Sequence, residues 1–131
     1  MAYLKYKELS REFNFSKKLP TEHVPAFITQ YLETNEIVNG IYGTSKDTCV
    51  FTDRKLILFD IGFFTNAKKI HLFPYNKISS SSIEFKFDVV NIYFSYDSGY
   101  QTKIRFVGFN AEDKTELRQV YFKLINKISE K

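Results

Sequence analysis

The sequence has few of the residues that build disulfides, metal centres and membrane spans. Among 131 residues there are one cysteine, two histidines and no tryptophan. The single cysteine, Cys49, excludes an internal disulfide, and its position in an apolar segment predicts a buried, unreactive thiol. His23 and His71 do not form a metal-ligand spacing such as His-x-x-x-His. No apolar run approaches the roughly 18 residues that a transmembrane helix needs.

Motifs for catalysis are also missing. The five glycines form no glycine-rich phosphate loop. Cys49 has no histidine or basic residue beside it in the sequence that would mark it as a nucleophile. Because no convergent set of polar groups is visible, we expect a protein that is not an enzyme and that holds no cofactor or metal.

Charge and the amino terminus bear on partners and location. The net charge is +4, but the basic excess is divided between residues 1–20 and 61–110. A nucleic-acid footprint is a concentrated basic face, so we expect no nucleic-acid partner. The first residues lack the continuous apolar stretch of a signal peptide, and the expected location is therefore cytoplasmic.

Aromatic residues are abundant, with 14 phenylalanines and 9 tyrosines, and they fall in short, β-prone runs. The clearest pattern is residues 48–60, where two such runs flank the polar break 52–55. This pattern predicts an antiparallel hairpin near the centre of a sheet. Alternating runs predict seven strands in all: 36–42, one on each side of the break in 48–60, 68–73, 83–87, 90–96 and 102–107.

Some finer expectations concern individual strands and connections. In the strand 68–73, Ile70 and Leu72 are expected to share one face, with His71 at the surface on the other. The four serines at 79–82 are interpreted as a flexible connector. The length of the chain is that of one domain with one core.

Three helices are expected. Tyr6, Leu9 and Phe13 fall at helical spacing and predict a short helix packed on the domain, with a docking arm for another copy as the alternative. A second helix should run over residues 22–33, capped by Thr21. The third, over residues 111–129, has a continuous apolar stripe and an Asn110 cap. This last helix must cover apolar surface, and the open end of the sheets is the available partner.

Two motifs within this layout resemble those of a known family. They are Val50-Phe51-Thr52-Asp53-Arg54-Lys55-Leu56-Ile57-Leu58 and Phe73-Pro74-Tyr75-Asn76-Lys77-Ile78. The bacterial pleckstrin-homology-like (PH-like) domain family typically shows a Thr-Asp/Asn-Lys/Arg-Arg-Leu-Ile hairpin and then a Pro-Tyr-x-x-Ile corner. Here Arg54-Lys55 inverts the commoner basic pair, and the resemblance covers about residues 36 to 129.

The resemblance implies a mainly β fold with flanking helices: a PH-like split β-barrel capped by the carboxy-terminal amphipathic helix. Two antiparallel sheets would contribute about seven strands. Residues 1–35 would form an amino-terminal helical extension packed on the domain, and residues 36–131 the PH-like domain itself.

The resemblance also implies a non-catalytic scaffold for binding or oligomerisation. Relatives that bind phosphoinositides use a cluster of basic residues on the first hairpin, whereas here that loop has Lys46 beside Asp47. We therefore expect an interaction module that binds a protein partner or itself, since exposed strand edges can accept an added strand.

The alternative is a weak peripheral binder of anionic membrane surfaces. Phe63 and Phe64 lie in an expected loop, where exposed rings can insert into a membrane, and Lys68, Lys69 and Arg54 would supply positive charge. The competing interpretation is that the two rings are buried, that the lysines protect a strand edge and that Arg54 is a solvated turn residue.

Overall fold

The structure is a computed structural model that describes residues 10–44, 47–61 and 68–129. In these ranges nine strands form two sheets, and two α-helices accompany them. The strands are β1 (Ser10–Phe15), β2 (Lys17–Leu19), β3 (Val38–Gly43), β4 (Thr48–Thr52), β5 (Lys55–Ile61), β6 (Lys68–Pro74), β7 (Ile78–Phe85), β8 (Val89–Tyr96) and β9 (Gln101–Val107). The helices are α1 (Ala26–Thr29) and α2 (Ala111–Ser129).

The first sheet has the strand order β1-β9-β8-β7, and the second has the order β2-β3-β4-β5-β6. All neighbouring strands are antiparallel except β1, which runs parallel to β9. The main core lies between the two sheets and beneath α2. The expectation of two sheets and a carboxy-terminal helix is confirmed. None of the helices described in these ranges is long and apolar enough to cross a membrane.

The central hairpin is where the sequence predicts it. Strands β4 and β5 pair through Val50 opposite Ile57 and Cys49 opposite Leu58. Cys49 is completely buried, and burial raises the pKa of its thiol well above the ordinary value because a thiolate would lose its hydration. The thiol is therefore held protonated within the core.

Helix α2 begins with the expected pair of reciprocal hydrogen bonds. The Asp113 N–H donates to Asn110 Oδ1 at 2.8 Å, and the Asn110 N–H donates to Asp113 Oδ2 at 3.2 Å. The two bonds satisfy backbone donors that have no partner within the helix. The helix then buries Leu117, Val120 and Leu124 against the main core.

The prediction of a helix in the first twenty residues is wrong for the part that the structure describes. Phe13 and Phe15 are buried, whereas Glu12 and Asn14 between and beside them are exposed. This alternation has the period of a strand, and pairing with β9 supplies its hydrogen bonds. Tyr6 and Leu9, which suggested a helical spacing, lie outside the described residues.

The expected helix 22–33 is reduced to α1, which has four residues. Pro25 accounts for the later start, because a proline disfavours helical geometry in the residue before it; the helix also ends at Thr29, four residues before the predicted end. The segment still serves as a cover. Its apolar side chains pack on the outer face of the second sheet, against Ile41, Val50, Ile57 and Phe59.

Because this segment covers the outer face of the second sheet, the predicted faces of His71 and Leu72 in β6 are wrong. His71 faces the interior, where it lies against the Phe13 ring and stacks on Phe73, whereas Leu72 is about half exposed. Strand β5 is apolar on both faces, with Leu56 in the main core and Ile57 under the outer cover. Apolar alternation therefore does not identify which face of the neighbouring strand points inward.

The serine run at 79–82 is not a connector but the centre of β7. Ser79 Oγ donates to the Ser95 carbonyl at 3.0 Å, and Ser81 Oγ donates to the Tyr93 carbonyl at 2.8 Å. These hydroxyls bond across to β8, which suits a strand of small polar residues.

The two amino-terminal strands join the sheets on one side. Strand β1 lies beside β9 in the first sheet, and β2, which follows after Ser16, lies beside β3 in the second. On the other side, β6 and β7 are the end strands of their sheets. The division into an extension, 1–35, and a domain, 36–131, stays a prediction.

Candidate functional site

The polar break of the central hairpin forms a network that we call the hairpin clamp, made of Thr52, Lys55, Glu36 and Tyr75. Thr52 Oγ1 accepts the backbone N–H of Lys55 at 2.9 Å and donates to Glu36 Oε2 at 2.5 Å. Lys55 Nζ donates to Glu36 Oε1 at 2.8 Å. The buried Tyr75 hydroxyl donates to the Thr52 carbonyl at 2.7 Å. The hairpin and corner motifs of the sequence therefore meet in one structural contact.

Electrostatics in the hairpin clamp favour the charged carboxylate. The Glu36 side chain is fully buried, and burial alone would raise its pKa. Hydrogen bonds from Lys55, Thr52 and the Glu33 backbone N–H outweigh this effect, so that the pKa of Glu36 lies below its ordinary value. The clamp consequently holds a buried ion pair in its charged form.

Of the expected membrane-binding residues, the structure describes the side chains of Lys69 and Arg54, which lie towards opposite ends of β5. Phe63 and Phe64 lie outside the described residues, as does the side chain of Lys68. Lys69 is exposed on β6 opposite Asp60. Arg54 lies at the other end of β5, a strand of seven residues that spans about 20 Å. Its guanidinium pairs with Glu33 at 2.6 Å.

Among the described strands, β6 and β7 each have one flank without a neighbour, and these two flanks differ in how they are protected. Strand β6 begins with Lys68 and Lys69 and ends with Pro74, residues that discourage pairing with another strand. Strand β7 has no charge and no proline from Ile78 to Ile83. Of the two flanks, β7 is therefore the better template for an added strand.

Three contacts hold α2 alongside β7. Ser81 Oγ and the Tyr121 hydroxyl lie 2.9 Å apart. The Arg118 guanidinium carbon lies 4.6 Å from the centroid of the Phe85 ring. Lys114 Nζ donates to the carbonyls of Lys86, at 2.9 Å, and of Phe87, at 2.6 Å. These contacts place side chains of α2 against one face of β7 and against the turn that follows the strand.

Exposed rings lie on the two elements that form these contacts and in the turn after β7. Phe87 is 95% exposed, Phe122 61% and Phe85 38%. We use the name β7–α2 surface for the edge residues 79–85 together with Phe87, Lys114, Arg118 and Phe122. Large exposed apolar side chains grouped together mark interaction sites more often than scattered ones do.

The sequence analysis missed this surface, although two signals were present. Phe122 lies outside the apolar stripe of α2 and has no role in covering the core. Phe87 continues the alternation of Ile83 and Phe85 beyond the end of β7 and is almost fully exposed. An apolar residue that does not fit the core pattern of its own element is the kind of residue that a binding surface uses.

A second group of rings, at the end of β6 and in the β8–β9 hairpin, is better explained by packing. Phe73 stacks on Tyr96 at 4.5 Å and on Tyr100 at 5.7 Å between ring centroids. The Tyr96 hydroxyl lies 2.9 Å from Thr102 Oγ1. These rings are in contact with one another, as expected for a ring-rich core that reaches the barrel end.

Comparison with known proteins agrees with this architecture. The model of the bacterial PH domain family matches residues 9–128. The chain belongs to this family. The resemblance found in the hairpin and corner motifs is thus confirmed, and the match includes the β1 and β2 strands that precede the expected domain boundary.

Solved structures show the same PH-like fold. One is a protein with a pleckstrin-homology domain from Shewanella loihica, with a TM-score of 0.65 and 20% identity, covering 88% of this chain and 98% of that one. Another is a PH domain containing protein from Exiguobacterium sibiricum, with a TM-score of 0.67 and 16% identity over 88% of this chain and 62% of that one. No curated protein matches the sequence.

Proposed function

We propose that this bacterial PH domain is an interaction module that binds a segment of a protein partner as an added strand on β7. The observation that carries the proposal is the unprotected edge of β7 beside the exposed rings of Phe85, Phe87 and Phe122. Main-chain hydrogen bonds to a strand edge supply affinity, and pockets for alternate side chains supply specificity. Absence of catalysis and a cytoplasmic location belong to the same proposal.

The geometry gives the added strand two distinct sides. Successive side chains of a strand point to opposite faces. One face of β7 carries Ser81, Ile83 and Phe85, which turn towards α2, and the other carries Ser80 and Ser82, which are exposed. A strand added to β7 would therefore pack alternate side chains against α2 and direct the others outward.

Photo-cross-linking tests the proposal. A photoreactive phenylalanine analogue replaces Phe87 or Phe122 in the full chain, expressed in cells of its natural host, and replaces Ile37 as the control. Ile37 is 60% exposed and lies beside the hairpin clamp, near Asn126 and Lys127 of α2 rather than beside β7. We expect the same partner segment to be captured from positions 87 and 122 and not from position 37.

Titration of the captured segment, made as a synthetic peptide, completes the test. Phe87→Ser and Phe122→Ser should each weaken binding about tenfold, the effect of losing roughly 1.4 kcal/mol at an interface ring. Ser82→Lys should weaken it by placing a charge at the edge. Unchanged affinity in all three variants, with Ile37→Ser as the matched control, would refute the proposal.

A second copy of the chain is the other occupant included in the expectation of a module that binds itself. Molar mass measured by light scattering across concentration identifies it, because two copies joined through β7 should separate in Ser82→Lys. Wild type and Ser82→Lys that are both monomeric leave an outside partner as the occupant.

Binding to anionic membranes is a separate proposal for Phe63, Phe64, Lys68 and Lys69. Its support in the structure is the exposed Lys69 at the start of β6; Arg54 is not part of it, since its charge is paired with Glu33. Sedimentation with anionic vesicles at low salt should carry down wild type and not the Phe63→Ser, Phe64→Ser double variant. Equal sedimentation of both proteins would refute the membrane proposal alone.

A further inference from the structure

The charged residues of α2 differ in the neighbours that they contact. On the side towards the amino-terminal strands, Glu116 forms an ion pair with Lys18 of β2. Asp113 is engaged in the cap with Asn110. Of the α2 side chains that contact β7 or the turn after it, Tyr121 is neutral, and the two charged ones, Lys114 and Arg118, are both basic. The helix therefore presents positive charge to the β7 edge.

The two basic groups are not neutralised there. Lys114 donates to two backbone carbonyls, which carry no net charge. Arg118 lies over the Phe85 ring and forms no ion pair with any residue in the described part of the chain. A guanidinium fixed over an aromatic ring keeps its outward N–H groups available to an anion.

The acidic residue within the edge strand itself, Glu84, is directed to the other face. Glu84 follows Ile83 on the opposite face of β7, where its carboxylate accepts from Asn91 Nδ2 at 3.0 Å and from the Tyr93 hydroxyl at 3.2 Å. Lys86 is 4.0 Å from the same carboxylate. Asp88 is exposed in the turn beyond β7. The face of β7 that meets α2 thus combines apolar rings with uncompensated positive charge.

We infer that the segment that binds β7 contains both an acidic residue and a large apolar residue, either aromatic or aliphatic. It would carry a large apolar side chain and, two residues away on the same face, an aspartate or glutamate. This inference rests on the proposed strand addition. The apolar side chain would pack between Phe85 and Phe122, and the carboxylate would accept hydrogen bonds from Arg118. Side chains two residues apart share a face of a strand, so both contacts form at once.

A library of random short peptides displayed on phage tests the inference on the full chain. Selection is carried out in parallel on wild type, Arg118→Glu, Arg118→Gln and Ser82→Lys. Arg105→Glu is the matched control, since Arg105 is also exposed but lies on β9, two strands away from β7. Thermal unfolding of each variant verifies that it is folded.

Enrichment on wild type of peptides with a carboxylate two residues from a large apolar residue is the expected result. A selected peptide, synthesised, should bind Arg118→Glu and Arg118→Gln at least about tenfold more weakly than wild type and Arg105→Glu. Its affinity for wild type should fall as salt rises, because charge attraction is screened.

The contrary outcomes separate the two levels of the argument. Selected peptides that lose affinity in Ser82→Lys but have no acidic bias and bind Arg118→Glu normally would overturn the inference and leave strand addition in place. No enrichment, or peptides insensitive to Ser82→Lys, would overturn both. A dimer of the chain that Ser82→Lys dissociates would replace the peptide by a second copy.

Discussion

At the scale of single residues, the clearest case is the buried charge of Glu36. A carboxylate removed from water costs several kcal/mol unless it is paired and hydrogen-bonded. Here Lys55, Thr52 and the Glu33 N–H all donate to it. The Glu36 side chain therefore connects residues 33–37 to the tip of the central hairpin. It links the segment that covers the outer face of the second sheet to the strands beneath that segment.

Replacement of Glu36 by glutamine should lower the free energy of unfolding by about 3 kcal/mol at neutral pH, because Lys55 keeps its charge and loses its partner. The pKa of Glu36 is lowered in the folded state, so the stabilisation is complete above the unfolded pKa and is lost as pH falls through the folded pKa. Urea unfolding at neutral pH and below pH 4 measures both effects.

The difference between wild type and Glu36→Gln should shrink in acid. Glu33→Gln is the control, since Glu33 pairs with Arg54 but is two-thirds exposed, and its replacement should change stability by less than about 1 kcal/mol. A difference between wild type and Glu36→Gln that is independent of pH would contradict the assignment of charge.

At the scale of elements, α2 and β7 differ in whether their outer backbone groups have hydrogen-bond partners. Helix α2 starts at a defined residue, because Asn110 and Asp113 satisfy each other's backbone donors. Strand β7 has a flank without a described neighbour, and its backbone groups on that side have no partner within the sheet. The amino-terminal end of the helix is therefore capped, whereas the strand offers an edge.

Asn110→Ala should reduce stability by about 1 kcal/mol through the loss of the cap. Thermal and chemical unfolding measure the effect, with Gln119→Ala, an exposed mid-helix position, as the control. Gln119→Ala is expected to be neutral or slightly stabilising, since alanine is a good helix former. Equal destabilisation by both changes would show that the cap contributes nothing beyond helix propensity.

At the scale of the whole molecule, the amino-terminal strands connect the two sheets. Strand β1 pairs with β9, and β2 pairs with β3. Phe13 and Phe15 enter the main core from β1. The family match from residue 9 onward agrees with these strands being part of the domain.

A chain that begins at Pro20 should fail to fold cooperatively or should aggregate. It lacks two buried phenylalanines, each contributing about 3 to 5 kcal/mol, against a total stability on the order of 5–15 kcal/mol for a domain. It also exposes the edges of β9 and β3. Circular dichroism on heating and light scattering are the measurements, and a chain that begins at Ser10 is the control. Cooperative unfolding at the same temperature in both would contradict this role of β1 and β2.

The sequence alone determined the elements whose signals are local. The hairpin 48–60, helix α2 and the corner at Pro74 were predictable because their apolar spacing, caps and turn residues are local features. The two family motifs were predictable for the same reason, since Thr52 and Tyr75 act through fixed positions in short segments.

Only the tertiary structure decided features that depend on distant neighbours. The strand state of residues 10–15 depends on pairing with β9, 91 residues away along the chain. The inward face of His71 depends on a second sheet that is covered on both sides. The β7–α2 surface arises because two separate segments place Phe87 and Phe122 beside a free edge. Local propensity cannot encode which strand lies next to which, since that choice is made by packing across the whole core.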